Sequence, residues 1–109
     1  MGSFEDFASA VIRGSEGLAQ ETLNGFIVQA RGDTSDFLNQ STQRLQEWST
    51  QLGQGQMTKD EFADLVGGLK DLATMRALTQ AGIAAANVQR FRNAVIKLVI
   101  DTAFKTFLP

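Results

Sequence analysis

The side chains in this sequence that could do chemistry are almost all carboxylates, because His, Cys and Tyr are absent. Without His there is no ordinary general base, no imidazole ligand and no side chain that titrates unperturbed near neutrality. Without Cys there are no disulfides, thiolate ligands, iron–sulfur clusters or thiol nucleophiles. The carboxylates cluster as Glu5/Asp6, Asp33/Asp36 and Asp60/Glu61/Asp64. Such clusters could share a proton or hold a cation. Each, however, falls at an expected helix start, where acids favour the exposed amides and the helix dipole. A di-metal bundle site needs inward Glu-x-x-His pairs, and no carboxylate lies on an apolar face at metal spacing. Ser15, Thr22 and Ser41 fall on inner faces with no base beside them and read as small packing residues. No Gly-rich strand–turn–helix cradle for phosphate is present. Trp48 and the eight Phe fall mostly at core positions, which does not suggest a ligand cage. The chain thus reads as non-enzymatic, with no catalytic residue, no metal and no cofactor.

The elements carrying these residues are constrained by composition. At 109 residues and 43% hydrophobic content, the chain suffices for one domain, residues 1–109, with its own core. A net charge of −2 with that apolar content excludes a disordered polymer. A pI near 5.0 argues against nucleic acid as a partner. The start Met-Gly-Ser-Phe-Glu-Asp has neither the basic nor the apolar region of a secretory signal, and Asp6 stands where myristoylation wants Ser or Thr. The longest apolar stretch, Ile83–Leu108, is interrupted by Arg90, Arg92, Lys97, Asp101 and Lys105. The expectation is a cytoplasmic protein that at most lies on a membrane surface.

Helix is the one periodicity present. The single Pro is the last residue, so none interrupts a helix from within. Apolar residues from Phe4 through Phe7, Val11, Ile12, Leu18, Ala19 and Leu23 to Phe26 recur at three- and four-residue steps, predicting one helix from Phe4 to Ala30. Ser3 and Asp6 supply its cap, and Arg31-Gly32-Asp33 is read as its end. Gly14 and Gly25 flank the apolar stripe, which suggests close approach of a second helix. The next helix is expected over Thr34–Leu52, capped by Asp33 or Thr34, with Leu38, Ser41, Leu45, Trp48 and Leu52 as a narrow seam. Gly53–Gln56 is a loop.

Thr58 and Glu61 then form a capping box, and Met57 and Phe62 occupy the staple positions around it. This stretch resembles the short SHOCT-type helical module in Gly55, Met57, Thr58, Glu61, Phe62 and Leu65. The resemblance covers about a quarter of the chain and implies a capped helix without a transferable function. Thr50–Phe62 also resembles an EF-hand loop at Gly55, Met57, Glu61 and Phe62. Its ligand positions hold Thr50, Leu52 and Gln54 instead of carboxylates, too few charges for calcium. The inner face of the helix that follows is Phe62, Leu65, Val66, Leu69, Leu72, Ala73 and Ala77. Between Ala73 and Ala86 only Gly82 could break the chain. Uninterrupted, the helix would reach roughly 75 Å. The fold expected is all-α, a bundle of three or four antiparallel amphipathic helices, the last two separate or joined as one long kinked helix.

The last helix carries two apolar stripes. Val88, Phe91, Val95, Leu98 and Val99 form one; Ile96, Ile100, Phe104 and Phe107 form the other. Arg90, Lys97, Asp101 and Lys105 run between them, with Lys97–Asp101 and Asp101–Lys105 at ion-pair spacing. A surface helix needs one stripe. Two are explained by a central position in the bundle, by an interface between copies, or by a lipid surface. Residues 1–81 hold 6 basic and 11 acidic side chains, and residues 82–109 hold 4 and 1, which favours docking of the basic end on acidic helices. The functional expectation is an interaction or scaffold protein that self-associates, or binds another helical protein, through Ile96, Ile100, Phe104 and Phe107. The alternative is a peripheral lipid binder whose Arg90, Arg92, Lys97 and Lys105 contact anionic groups.

Overall fold

The first helix, α1 (Phe4–Leu23), opens on the capping box read from the sequence. The Ser3 hydroxyl accepts from the Asp6 amide at 3.1 Å, and the Asp6 carboxylate accepts from the Ser3 amide at 3.3 Å. The computed structural model describes residues 3–108; Met1 and Gly2, read above for targeting patterns, and Pro109 lie outside them.

The predicted run to Ala30 does not form. The chain reverses at Asn24, Gly25 and Phe26, with φ of 60°, 137° and 58°. Asn and Gly adopt such left-handed conformations readily, and the Asn24 amide donates to the Ala19 carbonyl as a helix C-cap. Phe26 does so at a cost of about 1–2 kcal/mol. Its apolar side chain continues the three- and four-residue spacing, which is why the periodicity runs straight across the turn. Arg31-Gly32-Asp33, expected to end a helix, lies inside the second one, α2 (Ile27–Gly53). Gly25 serves the turn and has no neighbour where a Cβ would stand.

With 27 residues, α2 is about 40 Å long, close to the 42 Å longest dimension of the molecule. The chain then turns through Gly55 (φ 76°) into α3 (Lys59–Gly67), which starts at the second predicted box. The Glu61 amide donates to the Thr58 hydroxyl at 3.1 Å, and the Thr58 amide donates to the Glu61 carboxylate at 2.9 Å. Beyond α3 there is no long helix. A 3₁₀ turn (Lys70–Leu72) leads to the short α4 (Arg76–Gln80), and Gly82 (φ 87°) turns the chain into α5 (Ala85–Phe107). The 75 Å alternative is thus broken twice, and the radius of gyration is 13.5 Å.

The described residues form an all-helical bundle of four passes, the third broken into α3, the 3₁₀ turn and α4. Phe7 of α1 packs against Phe107 of α5, and Gly14 against Leu98, so these two helices run antiparallel. A Cβ on Gly14 would stand 2.9 Å from both Leu98 methyl groups, which is the close approach expected of that glycine. Phe7, Val11, Ser15 and Ala19 of α1 are buried at regular four-residue steps. They share the core with Phe91, Val95, Val99 and Ala103 of α5, with Leu38, Ser41, Leu45 and Leu52 of the expected α2 seam, and with Phe62, Val66, Met75 and Leu78 of the broken third pass. Trp48 is half-buried at its edge, and Leu65, expected inside, is exposed. α1, α2, α3, the 3₁₀ turn and α4 all pack on α5, which shares the middle of the bundle with α2. That position gives its two apolar stripes two neighbours within a single chain.

Candidate functional site

The second stripe of α5 is largely covered from within. Ile96 is 9% exposed, while Ile100, Phe104 and Phe107 are half-buried. The Phe104 ring lies 5.9 Å from that of Phe62 on α3, and the Phe107 ring 5.5 Å from that of Phe7. Lys59 places its ammonium 5.3 Å above the outer face of Phe104, a cation–π contact. Part of the stripe stays open. Ile96 and Ile100, with Gly67, Asn93, Lys70 and Lys97, line a shallow groove of about 360 Å³ between α3 and α5. Its floor is aliphatic and its walls carry two lysines.

The four cations of the alternative reading do not share one surface. Arg90, Lys97 and Lys105 are exposed, but Arg92 is half-buried and lies beside Thr74, Met75 and Thr79, its Nε buried without a partner. Neither predicted pair around Asp101 forms. Among the described residues the one ion pair joins Arg31 to Glu16 at 3.4 Å; it is exposed and contributes little stability.

The carboxylates act on backbone amides. Asp6 and Glu61 complete their boxes. The Thr58 amide, and secondarily the Thr58 hydroxyl, hold the Glu61 carboxyl below the usual glutamate range. A carboxyl with a lowered folded-state pKa supports the fold at neutral pH and loses that contribution as pH falls through the lowered value. Glu61→Gln is therefore expected to flatten the decline of the melting temperature below the ordinary glutamate range. Melts of both proteins across acidic pH check this, and parallel acid limbs would show that the box contributes nothing.

Asp33 has a role that local spacing does not reveal. Expected to cap α2, it is 4% exposed, and its two oxygens accept from the Ala77 and Leu78 amides of α4, both at 2.9 Å. It thus caps a helix distant in sequence. Among the described residues no group of three or more acids could hold a metal ion. The Ser15 and Thr22 hydroxyls donate to carbonyls of their own helix, and those of Ser41 and Ser49 are buried without partners. Ser49 lines a broad groove of about 660 Å³ with Phe4, Gln43, Gln46, Glu47 and Phe107.

Sequence reasoning missed one surface altogether. Phe26, Ile27 and Val28, at the turn between α1 and α2, are 44%, 37% and 67% exposed. The Asn24-Gly25 pair was the signal that could have located them, since it favours left-handed backbone. No family, no curated protein and no solved structure matches this chain. No helix of the described residues is long and apolar enough to cross a membrane.

Proposed function

We propose that this protein is a non-enzymatic interaction protein that self-associates through its C-terminal helix. The observation that carries the reading is the open Ile96–Ile100 groove, where an aliphatic floor lies between Lys70 and Lys97. A second copy suits it by charge, because residues 1–81 carry the acidic excess of the chain and would meet the two lysines. Phe104 and Phe107 hold α5 in register below the groove. Another acidic helical protein would meet the same surface, and a lipid surface would use Arg90, Lys97 and Lys105 instead. Residence in the cytoplasm belongs to the same proposal, since a fold without Cys draws nothing from an oxidising compartment.

The absolute mass in solution tests this. Light scattering is expected to give a multiple of 11.8 kDa. Ile100→Glu, and independently the exposed Lys97→Glu, should lower the mass while circular dichroism keeps the helical signal. A wild-type particle of one subunit mass at every concentration would overturn the proposal.

A further inference from the structure

We propose that the cleft between the Ala73–Thr79 segment and the start of α5 binds a small carboxylate with an apolar tail, and that Arg92 holds the carboxylate. The cleft encloses about 360 Å³, within the range of small-molecule sites. Arg92 is its one charged lining residue, and no acid lines it. The side chain is half-buried, and its Nε is buried with no hydrogen-bond partner. Arg92 makes no ion pair either, since the one pair among the described residues joins Arg31 to Glu16. A charged N–H stripped of water and given no acceptor is unfavourable. Met or Leu would fill the same space on α5 without that cost, so packing does not account for an arginine here.

The chemistry of the walls selects the ligand. α5 presents Ala85, Val88, Gln89 and Arg92 to the cleft, at the three- and four-residue steps of one helix face. On the other side Ala73 and Met75 are both 2% exposed, and Ile83 adds a third apolar side chain. A hydrocarbon chain therefore meets carbon, while a single anionic group meets the guanidinium, whose planar fork accepts a carboxylate through both oxygens. Thr74 and Gln89, both exposed, add a hydroxyl and an amide to the lining. α5 begins here without a side-chain cap and without an acid in its first turn, so its positive end adds to the potential of the cleft. Asp33, which reaches α4 from α2, is engaged by the Ala77 and Leu78 amides and forms no ion pair with Arg92. An amine would be repelled, and a neutral alcohol would leave the guanidinium without a counter-charge. This cleft is separate from the groove over Ile96 and Ile100 and does not depend on self-association.

Titration of the full chain with octanoate, followed by the chemical shifts of its backbone amides, tests the proposal, with 1-octanol as the uncharged probe. Octanoate is expected to give saturable shifts at Thr74, Met75 and Val88, and 1-octanol to bind about tenfold more weakly or worse. Arg92→Met keeps the bulk of the side chain and should bring octanoate down to the level of 1-octanol. Gln89→Glu changes one exposed amide to a carboxylate three residues before Arg92, where it can pair with the guanidinium in cis. It should weaken octanoate by about tenfold with the fold intact, and it remains decisive if Arg92→Met lowers stability. Arg90→Gln, on an exposed residue outside the cleft, should bind as wild type does. Absence of saturable shifts would overturn the proposal, as would equal affinity for the two probes or binding that survives Gln89→Glu. An equal loss in Arg90→Gln would reduce the effect to diffuse charge and overturn it too. Shifts centred on Ile96, Lys97 and Ile100 would do the same, by moving the ligand to the other groove.

Discussion

Replacing Phe62 with Ala is expected to lower the unfolding free energy by about 3–5 kcal/mol, the range for emptying a fully buried aromatic site. Phe62 has no exposed surface and packs on Phe104. The helix that carries it has 9 residues, too few to persist in water without tertiary support. Its removal should loosen all of α3 from α5, widen the groove over Ile96 and Ile100, and displace Lys59 from the Phe104 ring. A domain of this size has only about 5–15 kcal/mol of stability, so the variant should sit near its unfolding transition. Phe62→Leu keeps most of the volume and should cost about 1–1.5 kcal/mol. Urea titration checks both variants. An Ala variant with the wild-type midpoint would show that Phe62 does not hold α3. A rise in solution mass with the loss of stability would show that α3 normally covers surface available to a second copy.

The second large effect is expected at Asp33. Asp33→Ala should cost about 2–4 kcal/mol, because it leaves two amides of α4 without an acceptor, one of them buried, and removes charge-assisted bonds. Asp33→Asn should recover part of this. Its one amide oxygen can accept from one of the two N–H groups, while its NH₂ opposes the other. Asp36→Ala, three residues on and exposed, should stay within about 0.5 kcal/mol of wild type. Denaturation midpoints of the three variants check the series. Hydrogen exchange at Ala77 and Leu78 adds a local readout, since both amides should lose protection in Asp33→Ala. Equal midpoints for the Asp33 and Asp36 variants would remove Asp33 from the forces holding α4.

These two residues also separate what spacing reveals from what it hides. Phe62 was legible because a capping box and a staple position depend on neighbours within five residues, and Thr58, Glu61 and Phe62 all sit where local chemistry puts them. Asp33 was half legible. Its residue type announces a helix cap, but the first amide it accepts from, that of Ala77, lies 44 residues later. Local reasoning gave it the nearest helix start, at Thr34, which does not exist. The turn at Asn24–Phe26 was hidden for a related reason. The apolar period continues through Phe26, and periodicity reports which residues are apolar without reporting the sign of φ. The candidate site followed the same division. Both stripes of α5 and its basic edge were readable, whereas their coverage by α3 and α1, and the burial of Arg92, depend on which neighbours arrive.

By itself, the sequence determined an all-helical fold, the capped starts of α1 and α3, the central stripe of the core and the absence of His- or Cys-based chemistry. All of these depend on composition or on residues within a turn or two of one another. The tertiary structure decided where the chain reverses, which helix Asp33 caps, how much of the α5 stripe is covered and that Phe26, Ile27 and Val28 remain in water. Those outcomes depend on contacts between segments tens of residues apart, where one residue type can satisfy several partners and only the packed arrangement selects among them.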